Sequence, residues 1–423
     1  MRFFADLHIH SRYSRATSRD MSVEGLWKWA QIKGITVLGT GDFTHPKWHQ
    51  ELKEKLEYCE NNILKLKDNS SVIDVPQSCK GEVRFVLTAE ISCIYSKHRK
   101  TRKIHCLILA PDFSITAKIN NALSGIGNLS SDGRPILGLD AKTLLQIVRD
   151  ISDEAMLIPA HAWTPHFSVF GASSGFDSLE ECFDELAPHI HAIETGLSSD
   201  PAMNWRVSSL DRITLVSNSD AHSPAKLGRE ANIFETDLSF KGLTDAIRHR
   251  KGFSGTIEFF PQEGKYHYDG HRSCGVNLSP QETIENNYLC PVCGKKVTVG
   301  VMNRVEKLAD RVNGLRPEGA PPFYPLIPLQ EIIGETKKAG VNSKTVIREY
   351  FHLIGELGNE FGILMELPLD DIERAGGYLL REAIHRVRSG DVHIVPGFDG
   401  EYGKIKIFES VERKKIKGQA RLF

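Results

Sequence analysis

The sequence predicts an α/β protein built on a β/α barrel, followed by a zinc-binding module and a small mixed α+β C-terminal domain. Three observations predict it. Through the first 260 residues, short apolar runs alternate with amphipathic stretches, and the apolar runs repeatedly carry His, Asp or Glu at their ends. His271, Cys274, Cys290 and Cys293 then follow in a spacing that suits one tetrahedral zinc ion. Past residue 300 the pattern changes to helical stretches, a Pro-rich connector and a closing hairpin. The boundaries expected from these shifts are 1–260 for the barrel, 261–300 for the zinc module, 301–410 for the C-terminal domain and 411–423 for a flexible tail.

Taken in order, FFADLHIH begins the chain with a strand. Residues two apart share a face of a strand, so His8 and His10 project side by side, as metal ligands or as a polar strand end. GITVLGTGDF carries Asp42 just past its apolar part, VRFVLTAE ends in Glu90, and AMLIPAHAW presents His161. HAIETG presents Glu194, and ITLVSNSDAH presents Asp220 and His222. His105 is the exception, because it starts its run, IHCLILA. A hairpin over residues 83–94 and 103–109 would return it to Glu90. Helical candidates such as VEGLWKWAQIKG, AKTLLQIVRDI and LTDAIRHRKG lie between. Polar residues at the carboxyl ends of strands are where a β/α barrel keeps its active site. His, Asp and Glu without a matched Ser or Cys nucleophile suit metal ions that activate water, and a carboxylate such as Glu90 can bridge two of them.

Composition limits the partners. With 423 residues, 40% hydrophobic and 25% charged, the chain reads as a soluble protein of two or three domains. No apolar run approaches the roughly 20 residues of a membrane span. A strand begins almost at the first residue, leaving no room for a signal peptide, so a cytoplasmic protein with reduced thiols is expected. Of its eight cysteines, Cys59, Cys79, Cys93, Cys106 and Cys182 are scattered. The net charge of −1 excludes a polycation, so any nucleic-acid surface is a local patch.

DLHIHS, the Asp after the second strand, LTAE, IHCLIL, PAHAW and NSDAHS, in this order, resemble the polymerase and histidinol phosphatase (PHP) family over residues 1–260. The resemblance implies a distorted seven-stranded barrel that hydrolyses phosphoesters with two or three divalent ions (Zn, Mn or Mg). By that resemblance His8, His10, Glu90 and Asp220 hold the first ion, Glu90, His105 and His161 the second, and His222 belongs to a third. His8, His10, Glu90, Asp220 and His222 are the expected catalytic set. At the third site an Asp-His pair of the family is Asp42-Phe43 here, so Asp42 would supply the ligand, aided by Glu194 or Asp20.

In GHRSCGV and YLCPVCGKK, His271-x2-Cys274 and Cys290-x2-Cys293 offer three thiolates and an imidazole, with His267 as an alternative fourth ligand. Such a closed site holds together a lobe too small to bury a core. A PHP barrel followed by this module and a further mixed domain is similar to the endonuclease Q family. That resemblance implies a DNA repair endonuclease cutting 5′ to deaminated bases (uracil, hypoxanthine, xanthine) and at abasic sites, with damaged DNA as partner. Lys97, Arg99, Lys100, Arg102 and Lys103, in the expected hairpin loop, would either hold phosphates beside the metals or form a solvated basic loop. The Gly- and Ser-rich segment 124–135 is long enough to be a functional loop. Trp163, Phe167, Phe170 and Phe176 follow His161 and would stack on an extruded base or pack their loop on the barrel. The tail ends in Gln419-Ala420-Arg421-Leu422-Phe423, similar to the peptide with which repair proteins bind the sliding clamp. Two other functions remain open at this level: a small-molecule PHP phosphatase, and a catalytically inactive, clamp-tethered DNA-binding adaptor.

Overall fold

The computed structural model describes residues 1–59, 61–67, 74–409 and 412. The principal strands of the first part are β1 (Arg2–Asp6), β2 (Val37–Gly39), β3 (Arg84–Lys97), β4 (Lys100–Ala110), β5 (Met156–Pro159), β6 (Ala192–Glu194), β7 (Thr214–Val216), β8 (Ala231–Glu235) and β9 (Phe253–Glu258). β1 runs parallel to β2, and β2 parallel to β3. β4 reverses direction between β3 and β5. β6 and β7 form a parallel pair of their own. On its other edge β1 pairs antiparallel with β8, which pairs with β9. Together these belong to a mixed sheet with eleven strands among the described residues, beside the β6–β7 pair.

Single bonds tie that pair to the sheet at its carboxyl ends. The Ala162 amide after β5 donates to Glu194 of β6 at 2.8 Å. Ile9 after β1 bridges Ala221 after β7, with His10 N–H to the Ala221 carbonyl at 3.0 Å. The loops that leave the strands are therefore gathered over one opening.

The helices between the strands form where the periodicity places them. Ser22 caps Val23–Lys33 by accepting the Gly25 amide, and Gly34 at φ 86° ends it in the left-handed conformation that glycine tolerates. The buried face of that helix carries Leu26 and Ala30. Ala141–Ile151 and Phe240–His249 are likewise capped by Asp140 and Ser239.

Beyond the sheet, β10 (Asp269–His271) and β11 (Val276–Leu278) make the hairpin of the cysteine-bearing lobe. The Pro-rich segment expected to be a connector instead contributes β12 (Phe323–Pro325), which adds to β9 in parallel, Phe323 opposite Thr256. Four α-helices follow, Leu329–Lys337, Lys344–Leu357, Leu369–Gly376 and Tyr378–Ser389, with a short π-helix, Gly362–Glu366, between the second and third. The last two read as one in the sequence and are split at Gly377, φ 83°. β13 (His393–Val395) and β14 (Lys404–Lys406) form the expected closing hairpin. It folds back on the cysteine lobe, where Asn277 donates to the Pro396 carbonyl at 3.0 Å.

A buried ion pair ties the helical region to the end of the helix Val23–Lys33. Lys33 Nζ meets Glu360 Oε2 at 2.6 Å, and Glu360 also accepts from Tyr350 Oη at 2.7 Å and the Leu329 amide at 3.0 Å. Phe361 packs on Phe4 with ring centroids 4.7 Å apart. Among the described residues, no helix is long and apolar enough to cross a membrane.

Candidate metal centre

Two groups of side chains meet over the strand ends. In one, ligand atoms of His8, His10, Glu90 and Asp220 all lie within 4.8 Å of one another; in the other, those of Glu90, His105 and His161 do. Glu90 belongs to both, with a different oxygen turned to each. Its Oε2 lies 3.2 Å from His10 Nε2 and 3.5 Å from His8 Nε2. Its Oε1 lies 2.6 Å from His105 Nδ1 and 3.1 Å from His161 Nε2. The expected hairpin brings His105 there. Ser92, two residues past Glu90 and on the same face, pairs with His105 across β3 and β4. β4 is the reversed strand of the set, so its contribution comes early in the run rather than at its end.

Asp42 and Glu194 stand behind the histidines, outside both groups. Asp42 Oδ1 meets His10 Nδ1 at 3.0 Å, and its Oδ2 accepts from the Ser11 amide, the Ser11 hydroxyl and the Ser14 hydroxyl. Both oxygens of Glu194 lie 3.0 Å from His8 Nδ1, and it also accepts from the His161 amide and Asn218. Each carboxylate thus fixes a proton on Nδ1 and leaves the Nε2 lone pair facing inward. His8 Nε2, His10 Nε2 and Asp220 Oδ1 are buried without a hydrogen-bond partner. Converging lone pairs with nothing to accept are what a divalent cation satisfies, so these residues fit the ions the sequence pattern calls for. Burial pushes the Glu90 carboxyl up, but His105, His8 and His10 outweigh burial and hold it well below the usual range.

His222 joins neither group. Its Nδ1 lies 2.9 Å from the backbone oxygen of Asp220 and its ring stacks, tilted, 4.6 Å from His10. Asp20 is exposed and bonds only Ser18. The structure therefore does not assemble the expected third ligand set around Asp42, whose oxygens are taken up by His10, Ser11 and Ser14.

Backbone strain marks the centre. Asp42, His161 and Asp220 have φ of 49°, 31° and 47°, a region non-glycine residues enter at a cost of about 1–3 kcal/mol each. Asp6 offsets part of it by accepting the Ser219 amide, next to Asp220, and the Gly228 amide, each at 3.0 Å. Burial pushes the Asp6 carboxyl up to about 6. The two-residue period through Asp6, His8 and His10 is the sequence signal that places it on the same face as the two histidines. Arg134, whose Nη1 reaches Glu90 Oε2 at 3.1 Å from the Gly- and Ser-rich segment, carries no such signal.

Two expectations are corrected. Trp163 and Phe170 are 1% and 2% exposed, pack on each other at 4.9 Å, and offer no face to a base; Trp163 Nε1 donates to Asn204. Phe176 is buried too. Only Phe167 stands at the centre, half-buried, its ring 4.7 Å from His105. Of the basic residues, Lys97 is tied to Asp184 and the Cys182 carbonyl. Arg102 bonds the Gly175 carbonyl with its guanidinium 3.9 Å from the Phe176 ring, so both brace the hairpin. Arg99 and Lys100 are exposed at its turn, and Lys103 lies 5.3 Å over Phe167. At about 3.3 Å per residue the turn stands roughly 23 Å along the strand from Glu90.

Elsewhere, His271, Cys274, Cys290 and Cys293 also converge within 4.8 Å, with Cys293 Sγ 3.6 Å from His271 Nδ1. The apolar core of that lobe is only Leu278, Cys290 and Val297. His267, the alternative fourth ligand, is buried and stacked on Tyr268, outside the group. Gln419, Leu422 and Phe423 lie outside the described residues.

A mixed sheet with flanking helices that gathers buried His, Asp and Glu groups able to hold metal ions over its strand ends is what the chain shares with known proteins. The fold superposes with a TM-score of 0.84 on the lesion-specific endonuclease PfuEndoQ from Pyrococcus furiosus, at 31% identity over 97% of this chain and 96% of that one. It matches endonuclease Q in complex with a 27-mer duplex substrate carrying an abasic lesion at TM-score 0.81 and 31% identity, covering 97% and 98%. The chain belongs to the endonuclease Q family. Residues 328–391 match the family model of the MJ0043 C-terminal domain. The Methanocaldococcus jannaschii protein MJ0043 is 34% identical over 254 residues, which are 58% of this chain and 31% of that longer protein.

If Glu194 orients His8 rather than ligating an ion, Glu194→Gln weakens divalent-ion binding about 10–100-fold while the number of ions bound per chain stays unchanged. Competition with a chelating dye reads the affinity. Loss of one ion per chain would make Glu194 a ligand instead.

Proposed function

We propose that this chain is a metal-dependent DNA repair endonuclease, hydrolysing the phosphodiester 5′ to deaminated bases (uracil, hypoxanthine, xanthine) and at abasic sites. The observation that carries the reading is the pair of ligand groups joined through Glu90, inside a chain that matches lesion-specific endonuclease Q over nearly its whole length. The strands β1 to β7, tied at their ends by the Ile9–Ala221 bridge and the Ala162–Glu194 bond, are read as the distorted seven-stranded barrel. Two ions, Zn, Mn or Mg, suit the two groups: one at His8, His10, Glu90 and Asp220, the other at Glu90, His105 and His161. When bound, they supply polarisation of the phosphoryl group and a water-derived nucleophile at neutral pH.

The chain's own residues set up that chemistry. Asp42 and Glu194 hold the imidazole rings in the orientation that turns Nε2 inward. Asp6 fixes the loop that presents Asp220. Phe167 covers one side of His105 and limits water there. A cavity of about 410 Å³ lies beside the centre, lined by Pro165, Arg229, Lys265, Tyr266 and Tyr402 among others. Arg229 Nε donates at 2.8 Å to the carbonyl of Ser219, the residue before Asp220. Tyr266 and Tyr402 are exposed in this cavity. They replace Trp163 and Phe170 as the surfaces on which an extruded base would stack, an interaction worth about 1–3 kcal/mol. Arg99 and Lys100 serve phosphates along the duplex rather than the scissile one, while Lys103, over Phe167, stands nearer the centre.

Incubating a panel of duplexes carrying a single uracil, hypoxanthine, abasic or normal site with different divalent ions tests the reading. Lesion duplexes are nicked 5′ to the lesion, the normal duplex is not, and His8→Ala and Asp220→Ala abolish nicking with an unchanged circular dichroism spectrum. Nicking that persists in both variants removes the metal centre from the reaction.

The His271, Cys274, Cys290 and Cys293 group is read as a structural zinc site, since a lobe with three core residues needs a further crosslink to stay folded. Cys290→Ser then releases one zinc per chain and removes amide-exchange protection across residues 269–299. Retained protection in the zinc-free variant sinks this assignment. The tail is read as a sliding-clamp ligand through Gln419, Leu422 and Phe423. Deleting residues 419–423 should abolish retention on immobilised clamp while leaving nicking intact; retention by the shortened chain refutes it.

A further inference from the structure

Arg134 is the guanidinium that contacts Glu90, and its placement is built in from both sides. On one side, Asp132 Oδ1 accepts the Arg134 and Arg15 amides, and Gly133 donates to the Tyr13 carbonyl at 3.1 Å. Any Cβ at Gly133 would collide with the Asp42 carboxylate and the Ser14 hydroxyl, so only glycine lets this loop settle onto the centre. On the other side, the Ser92 amide donates to the Pro135 carbonyl at 3.0 Å, and Ile136 pairs with Ser92 of β3. The guanidinium is thereby held at the mouth of the centre with 31% of the side chain exposed, in contact with Glu90 Oε2.

That oxygen is the one turned toward His8 and His10. An ion held by His8, His10, Glu90 and Asp220 would therefore lie against the same carboxylate oxygen as the Arg134 guanidinium, and the two positive charges would repel. We propose that Arg134 is a phosphate-binding residue: held beside the centre by its contact with Glu90, it offers its guanidinium to an anionic phosphoryl oxygen of the substrate. A guanidinium suits this because its forked donors match phosphate and it stays charged at any working pH. The inference rests on the two-ion reading above, but its consequences for ion and phosphate binding do not depend on the DNA substrate.

The test compares the wild type with Arg134→Gln and Arg134→Lys, all first checked by thermal melting. Competition with a chelating dye measures divalent-ion affinity, and calorimetry measures inorganic phosphate binding to the ion-loaded protein. In Arg134→Gln, ion affinity rises about tenfold as the competing charge is removed, and phosphate binding is lost. Arg134→Lys keeps the charge and retains part of the phosphate binding. With a cleavable duplex, Arg134→Gln lowers the single-turnover rate about 10²–10³-fold at an unchanged number of bound ions. Unchanged ion affinity together with unchanged phosphate binding in Arg134→Gln overturns the proposal. So does a loss of bound ions in that variant, which would make Arg134 a structural brace. If the ion and phosphate effects are present but no duplex is nicked by any form, the nuclease reading fails and the assignment of Arg134 stands.

Discussion

Glu90 is the constraint on which the arrangement depends. A carboxylate with no exposed side-chain surface is costly to bury unless its charge is met from several directions. Here His8 and His10 arrive from the end of the first strand, His105 from the reversed strand and His161 from the next. They come from three separate segments of chain, so the sheet must hold its register over more than 150 residues for the carboxylate to be satisfied. The same geometry makes the centre sensitive to small shifts. A slip of one residue between β3 and β4 would turn His105 to the opposite face.

Around this carboxylate the protein separates holding from orienting. Inward, His8 Nε2, His10 Nε2 and Asp220 Oδ1 lack hydrogen-bond partners, whereas the carboxylates behind the two rings are saturated, Asp42 by three hydroxyl and amide donors besides His10, and Glu194 by an amide and an asparagine. Preorganisation of this kind lets an entering ion find its donors already aimed, at the expense of three strained backbone positions. Asp6 and Asn218 link that outer layer to the strands, Asn218 through the Leu7 amide at 2.8 Å.

The convergence of the inner groups was legible in the sequence because strand periodicity and the order of short motifs constrain it: His8 with His10, Glu90 at the end of LTAE, Asp220 in NSDAHS. His105 was legible only through the hairpin. What could not be read is the difference between a ligand and the residue behind it. Asp42 and Glu194 sit at strand ends like the others, and a rotation of one side chain decides their part. Trp163 and Phe170 failed for a similar reason, since an aromatic after a ligand packs inward or faces outward with the same local sequence. Lys97 and Arg102 were read from charge alone, while their true partners, Asp184 and the Gly175 carbonyl, lie 87 and 73 residues away. Arg134 was hidden in a stretch whose composition signals only a loop. For the C-terminal part, helix positions followed periodicity, whereas β12 was masked by prolines, which edge strands accept.

The parallel addition of β12 to β9 has a consequence for how the molecule is made. Until residue 325 has been synthesised, the free edge of β9 presents unpaired amides and carbonyls, and the Lys33 ammonium waits for a carboxylate 327 residues downstream. The N-terminal two-thirds is thus an unfinished object while the ribosome is still working, open to pairing with other nascent chains. Completion waits for residues 323–360, so a chain stalled before them carries an exposed strand edge.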